Sequence, residues 1–200
     1  MQAFWHDDAM TATPGPEALR TTIASPWGPV HVAASSSGVC GVWLRGEGAA
    51  FGLEVARRVG GRVTDDPEAA PRAARAQLAR ARGELLLALD GRPSQVAELP
   101  IDWRGVTAWD RRVLEGARRV PRGEATSYGR LARSIGAPGA ARAVGAAMGR
   151  NPFWILVPCH RVVAGDGSIG GYGGGPDSLE LKRDLLALEG TTVPVAHLVG

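Results

Sequence analysis

Residues 127–148 read Ser127-Tyr128-Gly129-Arg130-Leu131-Ala132-Arg133-Ser134-Ile135-Gly136-Ala137-Pro138-Gly139-Ala140-Ala141-Arg142-Ala143-Val144-Gly145-Ala146-Ala147-Met148. Ser127 carries an oxygen suited to capping a helix, Leu131, Ala132 and Ile135 recur at helical spacing, and Gly136 stops the run. After the Ala137-Pro138-Gly139 turn a second helix is expected, from Ala140 to about Gly149. Two short helices joined so tightly predict a helix-turn-helix. The second helix is almost entirely Ala and Gly with one long cation, Arg142. Small side chains permit either tight packing on a neighbouring helix or close approach of an external surface such as a nucleic-acid groove, and the pattern alone leaves both open.

Working outward towards the N-terminus, Thr107-x-x-Asp110 reads as a capped helix start, with Val113, Leu114, Ala117 and Val120 at helical spacing and Pro121-Arg122-Gly123 as its end. Before it lie three β-prone stretches, Thr21 to Ser25, Val30 to Ala34 and Val39 to Leu44. They are separated by Pro26-Trp27-Gly28-Pro29 and Ser35-Ser36-Ser37-Gly38, the pattern of an antiparallel meander. A short helix over 50–59, a strand over 62–64, a long helix over 71–89 and a strand over 96–101 are expected next. Residues 1–18 have no periodicity and read as a flexible tail. The fold class is therefore α+β. A small N-terminal antiparallel-sheet domain (19–103) precedes a mostly helical C-terminal domain (104–200) that contains the helix-turn-helix.

Towards the C-terminus the chain runs Asn151-Pro152-Phe153-Trp154-Ile155-Leu156-Val157-Pro158-Cys159-His160-Arg161-Val162-Val163, an apolar, strand-like segment that delivers a cysteine into a Pro-Cys-His-Arg turn. A free cysteine is commonly a small buried hydrophobe. Here the flanking His160 and Arg161 offer positive potential that would favour the reactive thiolate. Adjacent side chains diverge in extended chain, so Cys159 and His160 need a turn or a bridging water to communicate. A carboxylate orienting His160 could come from Asp166, Asp177, Glu180, Asp184 or Glu189, the last closing a helix over 179–188.

Composition narrows the class. The chain has 200 residues and net charge +3, but residues 104–200 carry the excess of positive charge, with nine arginines between 111 and 150 against Glu115 and Glu124. Such a cluster suits a polyanionic partner, or else forms a solvated face in a chain that uses Arg almost everywhere, Lys182 being its sole lysine. Two cysteines (Cys40, Cys159) and four scattered histidines lack the spacing of a zinc site, and no metal or other cofactor is expected. No apolar run approaches membrane-spanning length, and MQAFWHDDAM lacks the order of a secretion signal, so a cytoplasmic protein with no membrane partner is expected.

Taken together, Ser127-Tyr128-Gly129-x-Leu131-Ala132, Ala141-Arg142-Ala143-Val144-Gly145-x-Ala147-Met148, Asn151-Pro152, Pro158-Cys159-His160-Arg161-Val162-Val163, Gly171-Tyr172-x-Gly174-Gly175 and Leu186-x-x-Glu189-Gly190 resemble the O6-alkylguanine-DNA alkyltransferases in order and spacing. The match covers roughly 107–190, whereas the first domain resembles the family only in its generic strand pattern. The resemblance implies DNA repair by stoichiometric, irreversible transfer of an alkyl group from O6-alkylguanine to Cys159, with O4-alkylthymine as a second candidate substrate. It implies that a monomer binds double-stranded DNA through the minor groove and flips the damaged nucleotide. By the same resemblance His160 activates the thiol through a water and Glu189 orients His160. Arg142 fills the gap in the base stack, with Ser127, Ala141 and Gly145 along the DNA surface, while Tyr128 rotates the 3′ phosphate and bonds the guanine. The implied pocket comprises Asn151, which braces the turn, and Trp154, Met148, Val162, Tyr172 and Gly173; the carbonyls of Cys159 and Val162 accept from the exocyclic amine. Phe153-Trp154 departs from the smaller residues expected there, either narrowing the pocket or supplying an apolar wall. Gly173 likewise lacks the side chain often found at its place. An alkyltransferase-like protein without transfer activity would lack the thiol. A Cys/His hydrolase leaves the Arg-bearing helix unexplained, and a helix-turn-helix regulator requires more base-reading side chains than Arg142.

Overall fold

The structure, a computed structural model, describes residues 15–166, 168–169 and 178–191. Strands β1 (Ala18–Ile23), β2 (Val30–Ser35) and β3 (Gly38–Leu44) form the expected antiparallel meander. Helix α1 (Gly48–Val59) leads to a short strand β4 (Val63–Thr64), which pairs parallel with β1 and completes the order β3-β2-β1-β4. Helix α2 (Arg72–Leu89) follows. β2 is buried at all six positions because both faces of the sheet are covered. On one face Ala18, Ala33 and Cys40 meet Phe51, Val55 and Val59 of α1. On the other, Val30, Val32 and Ala34 join Leu78, Ala81 and Leu85 of α2. Each large apolar side chain fully buried this way contributes roughly 1.5–3 kcal/mol.

Two expectations shift. β1 starts at Ala18 rather than Thr21 because buried Ala18 and Leu19 pair with Ser35 and Ala34. Its end is set by Ser25, whose hydroxyl donates to Gly28 O and accepts from Trp27 N, turning the chain before Pro26 can extend the ladder. The strand expected over 96–101 is not formed. Val96–Glu98 is a single 3-10 turn, and only Ile101 bridges to Val39, since Pro100 has no N–H with which to continue the pairing.

Helix α3 (Ala108–Arg118) is capped by Thr107, whose hydroxyl accepts from Asp110 N, and α4 (Tyr128–Ser134) by Ser127, which accepts from Arg130 N. Gly136, at φ 70°, closes α4 in a left-handed turn, and α5 (Ala141–Gly149) completes the helix-turn-helix. Val113, Leu114, Ala117, Leu131, Ala132, Val144 and Ala147 from these helices share one buried cluster with the α2 face of the sheet. Strand β5 (Thr126–Ser127), just before α4, pairs parallel with β6 (Val162–Val163), just after the cysteine turn. That pairing, which no local pattern announced, sets the start of the helix-turn-helix beside Cys159. Helix α6 (Ser178–Leu188) ends at Glu189. No helix among the described residues is long and apolar enough to cross a membrane.

Candidate active site

The segment expected to deliver Cys159 as a strand is instead a pinned loop. Val42 N donates to Pro152 O and Trp154 N to Val42 O, so the loop grips the edge of β3 for two hydrogen bonds only. It then reverses through Ile155, a β-branched residue at φ 72° that costs about 1–3 kcal/mol of backbone strain. Val157 N then bonds Phe153 O and Cys159 N bonds Val157 O, closing the reversal. Phe153 is fully buried with Trp103 edge-on at 5.3 Å and the Arg58 guanidinium 4.8 Å above its ring. It therefore belongs to the contact with the sheet, and only half-buried Trp154 remains a candidate pocket wall.

Cys159, His160 and Arg161 form one 3-10 turn, the turn that two adjacent functional side chains need. Asn151 ties the turn to its approach. Its Nδ2 donates to Val157 O at 3.1 Å and to Cys159 Sγ at 3.4 Å, and its Oδ1 accepts from Phe153 N at 2.9 Å. Cys159 is 8% exposed, against 0% for Cys40, whose thiol burial pushes up to about 12.

Of the five candidate carboxylates, Glu189 meets His160, Oε1 lying 3.0 Å from Nε2. The carboxylate accepts, so Nε2 carries the proton and the Nδ1 lone pair is left for chemistry. Nδ1 is buried and has no protein partner among the described residues. Burial holds the imidazole below its ordinary value, so it is a neutral base near pH 7, with Glu189 partly opposing the shift. Glu189 is itself held down to about 2: burial pushes it up, but three hydrogen bonds, one from His160 and two from Arg161, together with the nearby positive charge, outweigh it.

Arg161 gives both Nε and Nη2 to Glu189 at 2.8 Å and Nη1 to Val120 O at 2.7 Å. Its guanidinium is thus anchored on the carboxylate and on the carbonyl after α3, one residue along from His160. Sequence reasoning missed a second cation buried beside the turn. Lys182 of α6 is fully buried, donates to Val162 O at 2.6 Å, and is pushed down to about 8 by burial against an opposing pull from Cys159. Its signal in the sequence was compositional, a lone lysine in an arginine-using chain.

Beside this turn an open groove of about 610 Å³ is lined by Ser127, Tyr128, Gly129, Arg130, Arg133, Ala141, Arg142, Gly145, Ala164 and Gly165. Tyr128 links groove and thiol: burial and the negative form of Cys159 both raise its hydroxyl, and its ring lies 3.8 Å from where a side chain on Gly145 would start. Arg142, Ala143 and Ala146 are exposed, while Val144, Ala147 and Met148 face the core. The small residues of α5 thus open a shallow outer surface as well as packing inward, and Met148 lies under the groove as core. Tyr172 and Gly173 lie outside the described residues.

The arginine cluster divides by use. Arg118 donates to Ala97 O and Leu99 O, Arg122 to Gly91 O, Arg92 O and Leu188 O, Arg112 to Ile135 O, and Arg150 pairs with Asp110. Arg111 bonds Glu115. Reading all nine as a phosphate footprint therefore overcounts, because carbonyls exposed at helix ends and turns also need donors. Arg130, Arg133 and Arg142 are the three that line the groove.

Comparison with known proteins finds relatives in both sequence and fold. Residues 108–191 match the DNA-binding domain of 6-O-methylguanine DNA methyltransferase. A methylated-DNA–protein-cysteine methyltransferase of Mycolicibacterium paratuberculosis is 52% identical over 92 residues, 46% of this chain and 53% of that protein. One of Salmonella typhimurium is 49% identical over 86 residues, 43% and 48% of the two. In these alignments the chain spans about half the length of the curated relatives it matches. The crystal structure of Mycobacterium tuberculosis O6-methylguanine methyltransferase superimposes with TM-score 0.66 at 34% identity, over 86% of this chain and 93% of that one. Mycobacterium tuberculosis OGT in complex with DNA gives TM-score 0.67 at 35% identity, over 86% and 92%. With sequence likeness over residues 108–191 and fold likeness over 86% of the chain, the chain belongs to the 6-O-methylguanine DNA methyltransferase family.

Proposed function

We propose that this protein repairs DNA by moving an alkyl group from O6 of guanine onto Cys159, once per molecule. The observation that carries the reading is the buried chain of groups at the thiol: Asn151 Nδ2 on Sγ, and a neutral His160 held by Glu189 with Nδ1 unprotonated. The thiol proton passes to Nδ1 through a water, and the sulfur attacks the alkyl carbon. The C–O6 bond breaks with its electron pair going to the guanine, which takes up a proton, while a thioether forms. That product has no acyl carbon for water to attack, and Cys40 is buried with its thiol pushed up to about 12, so it cannot relieve Cys159.

An alkyl carbon inside a base stack is unreachable, so the nucleotide is extruded, at a cost of a few kcal/mol. Exposed Arg142 on a helix of Ala and Gly suits insertion into a minor groove, with Arg130 and Arg133 placed for phosphates. The DNA-bound relative supports a DNA partner. In this reading residues 104–200 carry DNA binding and transfer, 19–103 hold the active-site loop, and a cytoplasmic monomer acts without cofactor. Intact-mass analysis after incubation with a duplex containing O6-methylguanine tests the proposal. One methyl group per protein, on the peptide of Cys159 and absent from Cys159→Ser, is expected. Product beyond one equivalent, or methylation surviving in Cys159→Ser, would overturn it.

A further inference from the structure

Lys182 has 0% exposure, and the alkyl-transfer reaction proposed above makes no use of its ammonium. Burying an ammonium is costly unless its charge and hydrogen bonds are used. This chain otherwise places arginine at every cationic position, 22 in all, and uses lysine once. A guanidinium is broad, planar and permanently charged, whereas an ammonium is a compact point charge that can titrate, so the exception marks a place where size and titration matter.

We propose that Lys182 is a positioning residue of the alkyl-acceptor site, fixing the Val162 carbonyl for the substrate and serving as the counter-charge of the Cys159 thiolate. The proposal rests on the alkyl-transfer reading for the identity of the substrate, but not for the thiolate. Geometry supports both halves. Nζ donates to Val162 O at 2.6 Å, which occupies one lone pair and leaves the other for an incoming amine. α6 packs directly on the Cys159–Arg161 turn.

The other ionisable groups around the site do not supply this charge. His160 is kept neutral by burial, and Arg161 and Glu189 satisfy each other at 2.8 Å. Tyr128 is raised, partly by Cys159 itself. On α6, Glu180 and Asp184 are exposed, Asp184 accepting from Trp27 Nε1, and Arg183 is half-buried. Lys182 and Cys159 thus form the pair whose charges depend on each other, in line with an ammonium lowered to about 8 by burial and pulled back by Cys159.

Because Lys182 is the sole lysine, protein grown with ε-13C-lysine gives one resonance, and its titration needs no variant. The expected midpoint lies near 8 and falls by about one pH unit once methyl iodide has capped Cys159, the thiolate having been replaced by a neutral thioether. Lys182→Met should slow capping of Cys159 by methyl iodide at pH 7.5 about tenfold and weaken binding of free benzylguanine. Lys182→Gln, which keeps a donor for Val162 O, should recover the binding but not the capping rate. A midpoint above pH 10, a midpoint unmoved by capping, or a capping rate unchanged in both variants would overturn the proposal. If the variants do not fold, the labelled wild-type titration decides alone. The titration and the capping rates use no DNA and no guanine, so failure of the repair reading and failure of this one are separately visible.

Discussion

Asn151 offers the sharpest test of the site, because its two ends do different work. Replacing it by Ala strips Phe153 N of its acceptor in a fully buried place, while Val157 O keeps its bond from Cys159 N. One orphaned buried N–H costs about 1–3 kcal/mol and the lost bond to Val157 about 1 kcal/mol, so Asn151→Ala should destabilise by about 3 kcal/mol. With a urea slope near 2 kcal/mol/M, the midpoint should fall by about 1.5 M. Asn151→Asp keeps the acceptor for Phe153 N but sets a carboxylate where an amide donated to Sγ at 3.4 Å. Two like charges about 4 Å apart at an effective dielectric of 20 repel by about 4 kcal/mol, roughly three pH units of thiol acidity. Methylation of Cys159 by methyl iodide at pH 7.5, followed by intact mass, should therefore slow at least about tenfold in Asn151→Asp. An Asn151→Asp protein that alkylates as fast as wild type, or an Asn151→Ala protein whose urea midpoint is unchanged, refutes the reasoning.

Glu189 is held near 2 in the folded chain against 4.5 for an ordinary glutamate, so its pairing stabilises fully above pH 4.5 and is lost as pH falls towards 2. Those 2.5 units correspond to about 3 kcal/mol, and a denaturation free energy that stays flat between pH 5 and pH 2 contradicts it. Arg142→Ala, exposed on the groove, should leave thermal stability within about 0.5 kcal/mol of wild type and keep reaction with free benzylguanine. Its reaction with duplex DNA should drop at least tenfold, and equal losses on both substrates remove Arg142 from nucleotide extrusion. In α3, a side chain on Gly116 would meet Ile135 Cγ2 at 2.5 Å and Leu131 Cδ1 at 3.1 Å. Gly116→Ala should cost about 1–2 kcal/mol net of its better helix propensity, lowering Tm by about 4 °C, and an unchanged or higher Tm speaks against this packing.

The features written in the sequence are those decided within a few residues. Thr107 and Ser127 cap their helices, Gly136 ends α4, and the turns between β1, β2 and β3 lie where Pro, Gly and Ser cluster. Each depends on a side chain reaching its own neighbouring backbone, so local pattern suffices. The Pro-Cys-His-Arg turn was legible for the same reason. What joins these pieces was not. Glu189 reaches His160 from 29 residues away, and four other carboxylates had equal claim by spacing. The parallel pairing of β5 with β6 rests on two residues each, too short to leave a period. Phe153 turned to Arg58 and Trp103, Arg161 turned to Glu189, and several arginines bound carbonyls, because each such choice is settled by which partner the closed fold brings within hydrogen-bond reach. Sequence alone determined the helices, the turns and the candidate nucleophile. Only the tertiary structure decided which charged groups surround Cys159, since electrostatic coupling depends on distance and burial, and neither is a property of residue order.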